Sequence, residues 1–359
     1  MKKCKVGIIG CGVISGIYMQ NIKEYPHLEL VACADLVMET AQKRAEEFHI
    51  PKVCTVDELL SDPDIDIVVN LTIPAAHGQI CLRALEAGKH VYVEKPLAAT
   101  REEGRKILES AKQKGLRVAC APETFLGGGI QTCRQLIEDG DIGTPIAATG
   151  NMLYGGPDAW HPNPHFFFQP GAGPLFDMGP YYLTALVTLL GPIKQIMAQT
   201  KISFPERKAR VTGETIKVNT PTHVTGILEF ANGTLGTVIF SFDVKGGHHL
   251  PNIEIYGTEG TIRVPDPNTF GGPVLIKRVG NEEWAEVEIK RAYTDNSRGI
   301  GVAEMALAIL EDRPHRANGD LAYHILDAMY AFYDSAEKQQ PHLLESRCEV
   351  PAIMPHRLF

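Results

Sequence analysis

The sequence predicts an α/β protein: an N-terminal Rossmann-type, doubly wound parallel sheet, then an α+β domain with a mostly antiparallel open sheet. Three observations predict it. Short β-branched runs alternate with helical patterns through residues 1–121. A glycine-rich turn, Gly10-Cys11-Gly12-Val13-Ile14-Ser15-Gly16, follows the first apolar run at once. Beyond it, in residues 122–359, strand patterns follow one another with hairpin signals between them.

Taken in order, residues 5–9 read as a strand. Gly10 then allows a tight turn, Gly12 lets the backbone approach a pyrophosphate, and Ser15 is small enough for close helix–strand packing. A helix beginning near Val13 points its free N–H groups, those of Val13 and Ile14 among them, at that anion. A second strand, 28–34, ends at Asp35. A carboxylate there hydrogen-bonds the ribose hydroxyls of NAD and repels the extra phosphate of NADP; it is also compatible with a helix N-cap. NAD is therefore expected over NADP.

A helix over 38–48 places Ala41, Ala45 and Phe48 on one face, and a strand over 66–71 is broken by Thr72-Ile73-Pro74. A helix over 75–87 closes on Gly88. The next strand begins at His90 and ends in Glu94-Lys95-Pro96. Proline cannot continue a ladder, so Lys95 falls at a carboxyl-terminal strand end, where open α/β sheets bind ligands. Thr100 is read as an N-cap with Glu103 completing a capping box, and a strand over 116–120 ends the first domain. The strand ends at Gly10, Asp35, Thr72 and Lys95 all face one crevice.

In the second domain a helix is expected over 127–139 and a strand over 146–153. A long loop then carries Trp160, His161, Asn163 and His165. An aromatic face with polar neighbours suits a pyranose, so Trp160, His161 and His165 are candidate sugar contacts. Zinc needs three or four convergent ligands, and these loop histidines lack that frame; no metal is expected. Hairpins are expected around Ala231-Asn232-Gly233 and Gly257-Thr258-Glu259-Gly260. Helices are expected over 299–311 and 320–338, the latter capped by Asp320.

The net charge, 35 − 43 = −8, argues against a general nucleic-acid or anionic-membrane surface. Met1-Lys2-Lys3 runs into a strand without a leader pattern, and no apolar run reaches the length of a membrane span. The eight cysteines never fall in Cys-x-x-Cys spacing, which makes a cytoplasmic protein with reduced thiols the expectation.

The glycine turn, Asp35, Thr72-Ile73-Pro74-x-x-His77, the run Ala84-Leu85-Glu86-Ala87-Gly88-Lys89-His90 and Glu94-Lys95-Pro96 together resemble the Gfo/Idh/MocA oxidoreductase family, and the resemblance covers essentially the whole chain. It implies that Lys95 is the catalytic lysine, that Thr72, Ile73, Pro74, His77 and Glu94 line the cofactor, and that the Lys95–Pro96 bond is cis. For His77 a bland reading, a polar first-turn helix residue, stays open. The stretch 173–182 is similar to the family's second motif, an aspartate with a histidine four residues on; here these are Asp177 and Tyr181. Four residues is one helical turn, so both project from one face. An N-cap for Asp177 and a packed core aromatic for Tyr181 are the alternatives. The resemblance further implies a homodimer or homotetramer.

Oxidising a carbinol releases a hydroxyl proton that the nicotinamide does not take. A positive ring about 4 Å from a lysine, at an effective dielectric near 20, disfavours the ammonium by roughly 4 kcal/mol. That would bring an ordinary lysine, of pKa about 10.4, near neutrality and make Lys95 the proton-transfer group. Tyr181 would then orient or relay and Asp177 fix the geometry. The expected function is NAD-dependent oxidation of a secondary alcohol of a sugar, glycoside or polyol. Two rivals are an NAD-dependent glycosidase or epimerase of the same fold, which returns the hydride, and a catalytically silent dinucleotide or sugar sensor.

Overall fold

The computed structural model describes residues 2–359. Its first sheet is built from β1 (Cys4–Ile9), β2 (Leu28–Ala34), β3 (Lys52–Val53), β4 (Ile67–Asn70), β5 (His90–Val93) and β6 (Val118–Cys120). All neighbours are parallel, in the order β3-β2-β1-β4-β5-β6. The strands are short and apolar on both faces, as a sheet covered by helices on each side requires: Val6, Ile8, Ile67, Val68, Val69, Val91 and Val93 are fully buried. The covering helices are α1 (Ser15–Ile22), α2 (Met38–Glu47), α3 (Val56–Ser61), α4 (Pro74–Glu86) and α5 (Arg101–Lys114). The chain reverses direction after β1, going to β2 on one side and later to β4 on the other, so the ends of β1 and β4 flank the switch point where such sheets hold ligands.

Several helix ends differ from the expectation. Helix α1 starts at Ser15, two residues later than Val13, because Gly12–Ser15 forms a turn closed by the Ser15 N–H on the Gly12 carbonyl. Helix α4 takes Pro74 as its first residue, where a missing N–H costs nothing. The box at Thr100 is half formed: its hydroxyl accepts the Glu103 N–H, but the Glu103 carboxylate turns to the Ala99 N–H. The complete box is at Thr55 and Glu58, ahead of α3.

The second sheet has the order β16-β15-β14-β13-β7-β12-β11-β8-β17. Its strands are β7 (Pro145–Leu153), β8 (Ile193–Lys201), β11 (His223–Phe230), β12 (Leu235–Ser241), β13 (Ile253–Gly257), β14 (Gly260–Val264), β15 (Val274–Arg278), β16 (Ala285–Val287) and β17 (His342–Leu343); β9 (Glu206–Lys208) and β10 (Thr215–Lys217) pair apart from it. Only β7 and β12 pair in parallel. One face buries Val224, Leu228, Val238, Phe240, Ile253 and Ile255 under α6 (Gly128–Glu138), α7 (Gly173–Leu190) and part of α9 (Gly319–Lys338). Rings of Tyr182 and Phe332 pack edge-on against Phe240. The opposite face alternates outward, with Met197 opposite Ile227 at its middle.

The chain divides into two units, and the division is not the single boundary at 121/122 drawn from the sequence. The first unit takes residues up to Leu126 and also Asp295–Leu326, with Leu358–Phe359; the second takes Gly127–Thr294 and Asp327–Arg357. The physical reason lies in α8 (Ile300–Leu310), whose Ile300, Val302, Ala303, Met305, Ala306 and Ala308 are all fully buried. A helix apolar on every side needs cover all round, and it is found beside α1 and β6 in the first unit. Helix α9 begins one residue earlier than expected, and the side chain that accepts from its first turn is Asn318, on the Leu321 N–H, rather than Asp320. No described helix is long and apolar enough to cross a membrane.

Candidate active site

The glycine turn at the end of β1 is held from three sides. Gly10 has φ +98°, and a Cβ there would meet the Leu71 carbonyl carbon at 2.6 Å, so only glycine fits. Gly12 has open space where its side chain would be. The Ser15 hydroxyl donates to the Gly12 carbonyl at 2.7 Å. Across the turn, Asp35 accepts the Cys11 N–H at 2.7 Å with one oxygen and the Val37 N–H at 2.8 Å with the other. Asp35 is thus not the N-cap of α2, a position held by Val37. Around this turn three large apolar side chains stand open: Val13 is 94 % exposed, Leu36 98 % and Ile73 70 %. Open backbone at Gly12, an anchored carboxylate and uncovered apolar side chains at neighbouring strand ends fit a dinucleotide with its pyrophosphate, ribose and flat rings.

Beyond β4 the backbone is shaped by buried polar groups. The Asn70 side-chain oxygen Oδ1 accepts the Thr72 N–H at 3.2 Å and its hydroxyl at 2.7 Å, while the Asn70 side-chain Nδ2 donates to the His77 carbonyl at 3.2 Å. The His77 ring sits between two carbonyl oxygens, Pro96 at 2.6 Å from Nδ1 and Thr72 at 3.0 Å from Nε2. Burial pushes its pKa below the usual range, with the two carbonyls pulling the other way. The sequence reading puts His77 on the cofactor surface. The structure instead encloses the ring completely, so His77 acts through the two backbone segments it joins.

One of those segments carries Lys95. Its N–H donates to the Glu94 carboxylate at 2.9 Å, and its bond to Pro96 is cis. The other oxygen of Glu94 accepts the Tyr18 hydroxyl from α1 at 2.8 Å. Tyr18 and Asn70 were not candidates from the sequence. The signal available was weak: a single polar residue closing the apolar run Ile67–Asn70, and a tyrosine within a buried helix face.

In the second unit Asp177 is the fifth residue of α7, whose N-cap is Ala172; the N-cap reading of Asp177 therefore does not hold. Tyr181 lies one turn further on and is 9 % exposed. The hydroxyl of half-buried Tyr154 is pushed well up by desolvation and then by the charges of Asp177 and Asp158. The aromatic loop folds as two short 3₁₀ turns, Pro157–Ala159 and His165–Phe168. Trp160 remains 60 % exposed, with the His161 ring edge-on to it at 5.3 Å and to Phe167 at 5.2 Å. His161 Nδ1 accepts the Asn163 N–H at 3.0 Å, and exposed His165 faces Gln169. The loop is anchored by Arg207, another residue absent from the sequence reading. Its guanidinium binds Asp158 at 2.7 Å, the Gly155 and Phe242 carbonyls, and Asp243, and it stacks on Phe168.

The profile described as an oxidoreductase family with an NAD-binding Rossmann fold matches residues 4–121, and that of the Gfo/Idh/MocA C-terminal domain matches residues 130–263. A levoglucosan dehydrogenase of Pseudarthrobacter phenanthrenivorans is 29 % identical over 291 residues, 73 % of each chain. An inositol 2-dehydrogenase/D-chiro-inositol 3-dehydrogenase of Lacticaseibacillus casei is 24 % identical over 294 residues, 79 % of this chain and 78 % of that one. A solved levoglucosan dehydrogenase complexed with NADH superposes with a TM-score of 0.84 at 22 % identity, covering 96 % of this chain and all of that one. The chain belongs to the Gfo/Idh/MocA family of oxidoreductases, and its first domain is an NAD-binding Rossmann fold.

Proposed function

We propose that the protein oxidises a secondary alcohol of a sugar, glycoside or polyol, passing the hydride to NAD in preference to NADP. The observation that carries this reading is Lys95, half-buried at the carboxyl end of β5 in a sheet whose glycine turn and Asp35 fit a dinucleotide. The names of the relatives, levoglucosan and inositol dehydrogenases, support the substrate class.

When bound, NAD supplies the hydride acceptor. The remaining work falls to the chain. The turn at Gly10 and Gly12 with the N–H groups of Val13 and Ile14 receives the pyrophosphate, and Asp35 receives the ribose. Thr72, Ile73, Pro74 and Glu94 line the same edge, His77 supporting Thr72 from behind. Lys95 takes the hydroxyl proton as the carbinol becomes a carbonyl. Asp177 and Tyr181 are assigned supporting roles, orienting the hydroxyl and passing its proton; Trp160, His161 and His165 are assigned to sugar contacts. The outward face around Met197, Ile227 and Leu235 is assigned to self-association as a dimer or tetramer, in the cytoplasm.

The test is NAD⁺ and NADP⁺ reduction screened against sugars, inositols and glycosides, with Lys95→Ala alongside. Stoichiometric NADH accumulation with a sugar or polyol is expected. Turnover of a glycoside without net NADH would point to transient oxidation instead, and cofactor binding without any turnover to a sensor.

A further inference from the structure

The Gly12 carbonyl meets three donors. It accepts the Ser15 N–H at 3.2 Å, the Ser15 hydroxyl at 2.7 Å and, from α2, Nη2 of Arg44 at 3.3 Å. The guanidinium is itself held in place. Its Nη1 donates to Glu47 at 2.7 Å, and its carbon stands 5.9 Å from the centre of the Phe48 ring. It packs where Gly16 of α1 has no side chain, since a Cβ there would lie 3.4 Å from Nη1. Only 24 % of the Arg44 side chain is exposed. A residue of α2 thus reaches into the turn between β1 and α1.

The peptide plane carries that contact to the site. The Gly12–Val13 bond is trans, so the Gly12 carbonyl and the Val13 N–H point in opposite directions. Donors that hold the carbonyl towards α2 therefore aim the Val13 N–H the other way. The turn is uncovered: a Cβ on Gly12 would meet nothing within 4 Å, and Val13 is 94 % exposed. Among the described residues no backbone carbonyl accepts the Val13 N–H. We propose that Arg44 is a positioning residue of the dinucleotide site, fixing the Gly12 peptide so that the Val13 N–H meets the pyrophosphate.

Charge favours the same role. The other charged group bonded to this turn is the Asp35 carboxylate, on the Cys11 N–H, in a chain of net charge −8. A pyrophosphate brings further negative charge to this place, and the guanidinium offsets part of it. A cation on the carbonyl also polarises the shared peptide and makes its N–H a stronger donor. Glu47 takes little from this, because it is 54 % exposed and the pair is screened by water. The inference rests on the reading of the glycine turn as the pyrophosphate site.

Calorimetric titration of the whole protein with NAD, ADP-ribose and adenosine tests it. The first two carry the pyrophosphate, and adenosine carries no phosphate. Arg44→Met keeps apolar cover over Gly16 and Phe48 but removes the donor and the charge. It is expected to raise the Kd of NAD and of ADP-ribose about tenfold, leaving adenosine affinity and the melting temperature unchanged. Arg44→Lys, which keeps a donor and a charge, is expected to fall between that variant and wild type. Glu47→Gln removes only the ion pair and is expected to bind as wild type does. An NAD affinity in Arg44→Met within about twofold of wild type overturns the inference. So does an equal loss for adenosine, or the same loss in Glu47→Gln, since either would make Arg44 a packing residue of α2. Wild-type protein that binds adenosine but neither pyrophosphate ligand overturns the reading of the turn, and the role of Arg44 with it.

Discussion

The Cys11 N–H donates to the Asp35 carboxylate across 2.7 Å, joining the turn after β1 to the residue after β2. Asp35 therefore does two things at once. It holds the glycine turn in shape, and in the function proposed above it is also the group that receives the ribose.

Asp35→Ala is expected to weaken NAD binding by about 1.5–3 kcal/mol, the worth of hydrogen bonds to a charged group, and to narrow the preference over NADP. Calorimetric titration of both dinucleotides checks this. Unchanged NAD affinity would remove Asp35 from the cofactor site.

Lys95→Ala is expected to lower kcat by about 10²–10⁴, the usual worth of a positioned proton-transfer group, while NAD affinity stays within a few-fold. Steady-state kinetics on the best substrate from the screen reads it. Turnover within about tenfold of wild type would take the role from Lys95.

Arg207 is 1 % exposed at its side chain, between Asp158 and Asp243 at 11 % and 7 %. Arg207→Met strands two carboxylates in the interior and is expected to cost about 3–5 kcal/mol of stability. Arg207→Lys is expected to recover little of it, since a point charge cannot serve two carboxylates and two carbonyls in one plane. Chemical denaturation measures both, and a loss under about 1 kcal/mol would show that the aromatic loop is held by other contacts.

Burial raises Glu123, which predicts how stability varies with pH. Its folded value of about 7 lies above the ordinary 4.5, so between those values the folded protein holds a proton that the unfolded chain has released. Stability from this group is full below the lower value and falls as pH rises towards the upper one, at up to about 1.4 kcal/mol per pH step. Glu123→Gln is expected to flatten that slope. Denaturation midpoints across the window check it, and an unchanged slope would mean that other groups set it.

The first sheet was legible because its signals are local. Strand and helix periods, the glycine turn and Pro96 each act within a few residues, and they fixed the positions of Gly10, Asp35, Thr72 and Lys95 at strand ends. Helix ends were read less well, since a cap depends on which side chain reaches which N–H. Glu103 turned to Ala99, and Asn318 served where Asp320 was expected. Strands β3, β8, β9, β10, β15, β16 and β17 were missed, their patterns lying beside loops and completed only by pairing.

By itself, then, the order of residues determined an α/β protein with a dinucleotide fold and a lysine at the carboxyl end of one of its parallel strands, because backbone preference and apolar periodicity are properties of neighbours in the chain. What only tertiary structure decided were the long-range polar contacts. Arg207 between Asp158 and Asp243 and Glu123 beneath Tyr92 and Gly299 depend on segments far apart in sequence, and even His77, near Thr72 and Pro96 along the chain, meets them only because β4 and β5 pair. A buried charge or imidazole is tolerable only where such partners meet it, and no pattern along the chain says where that will be.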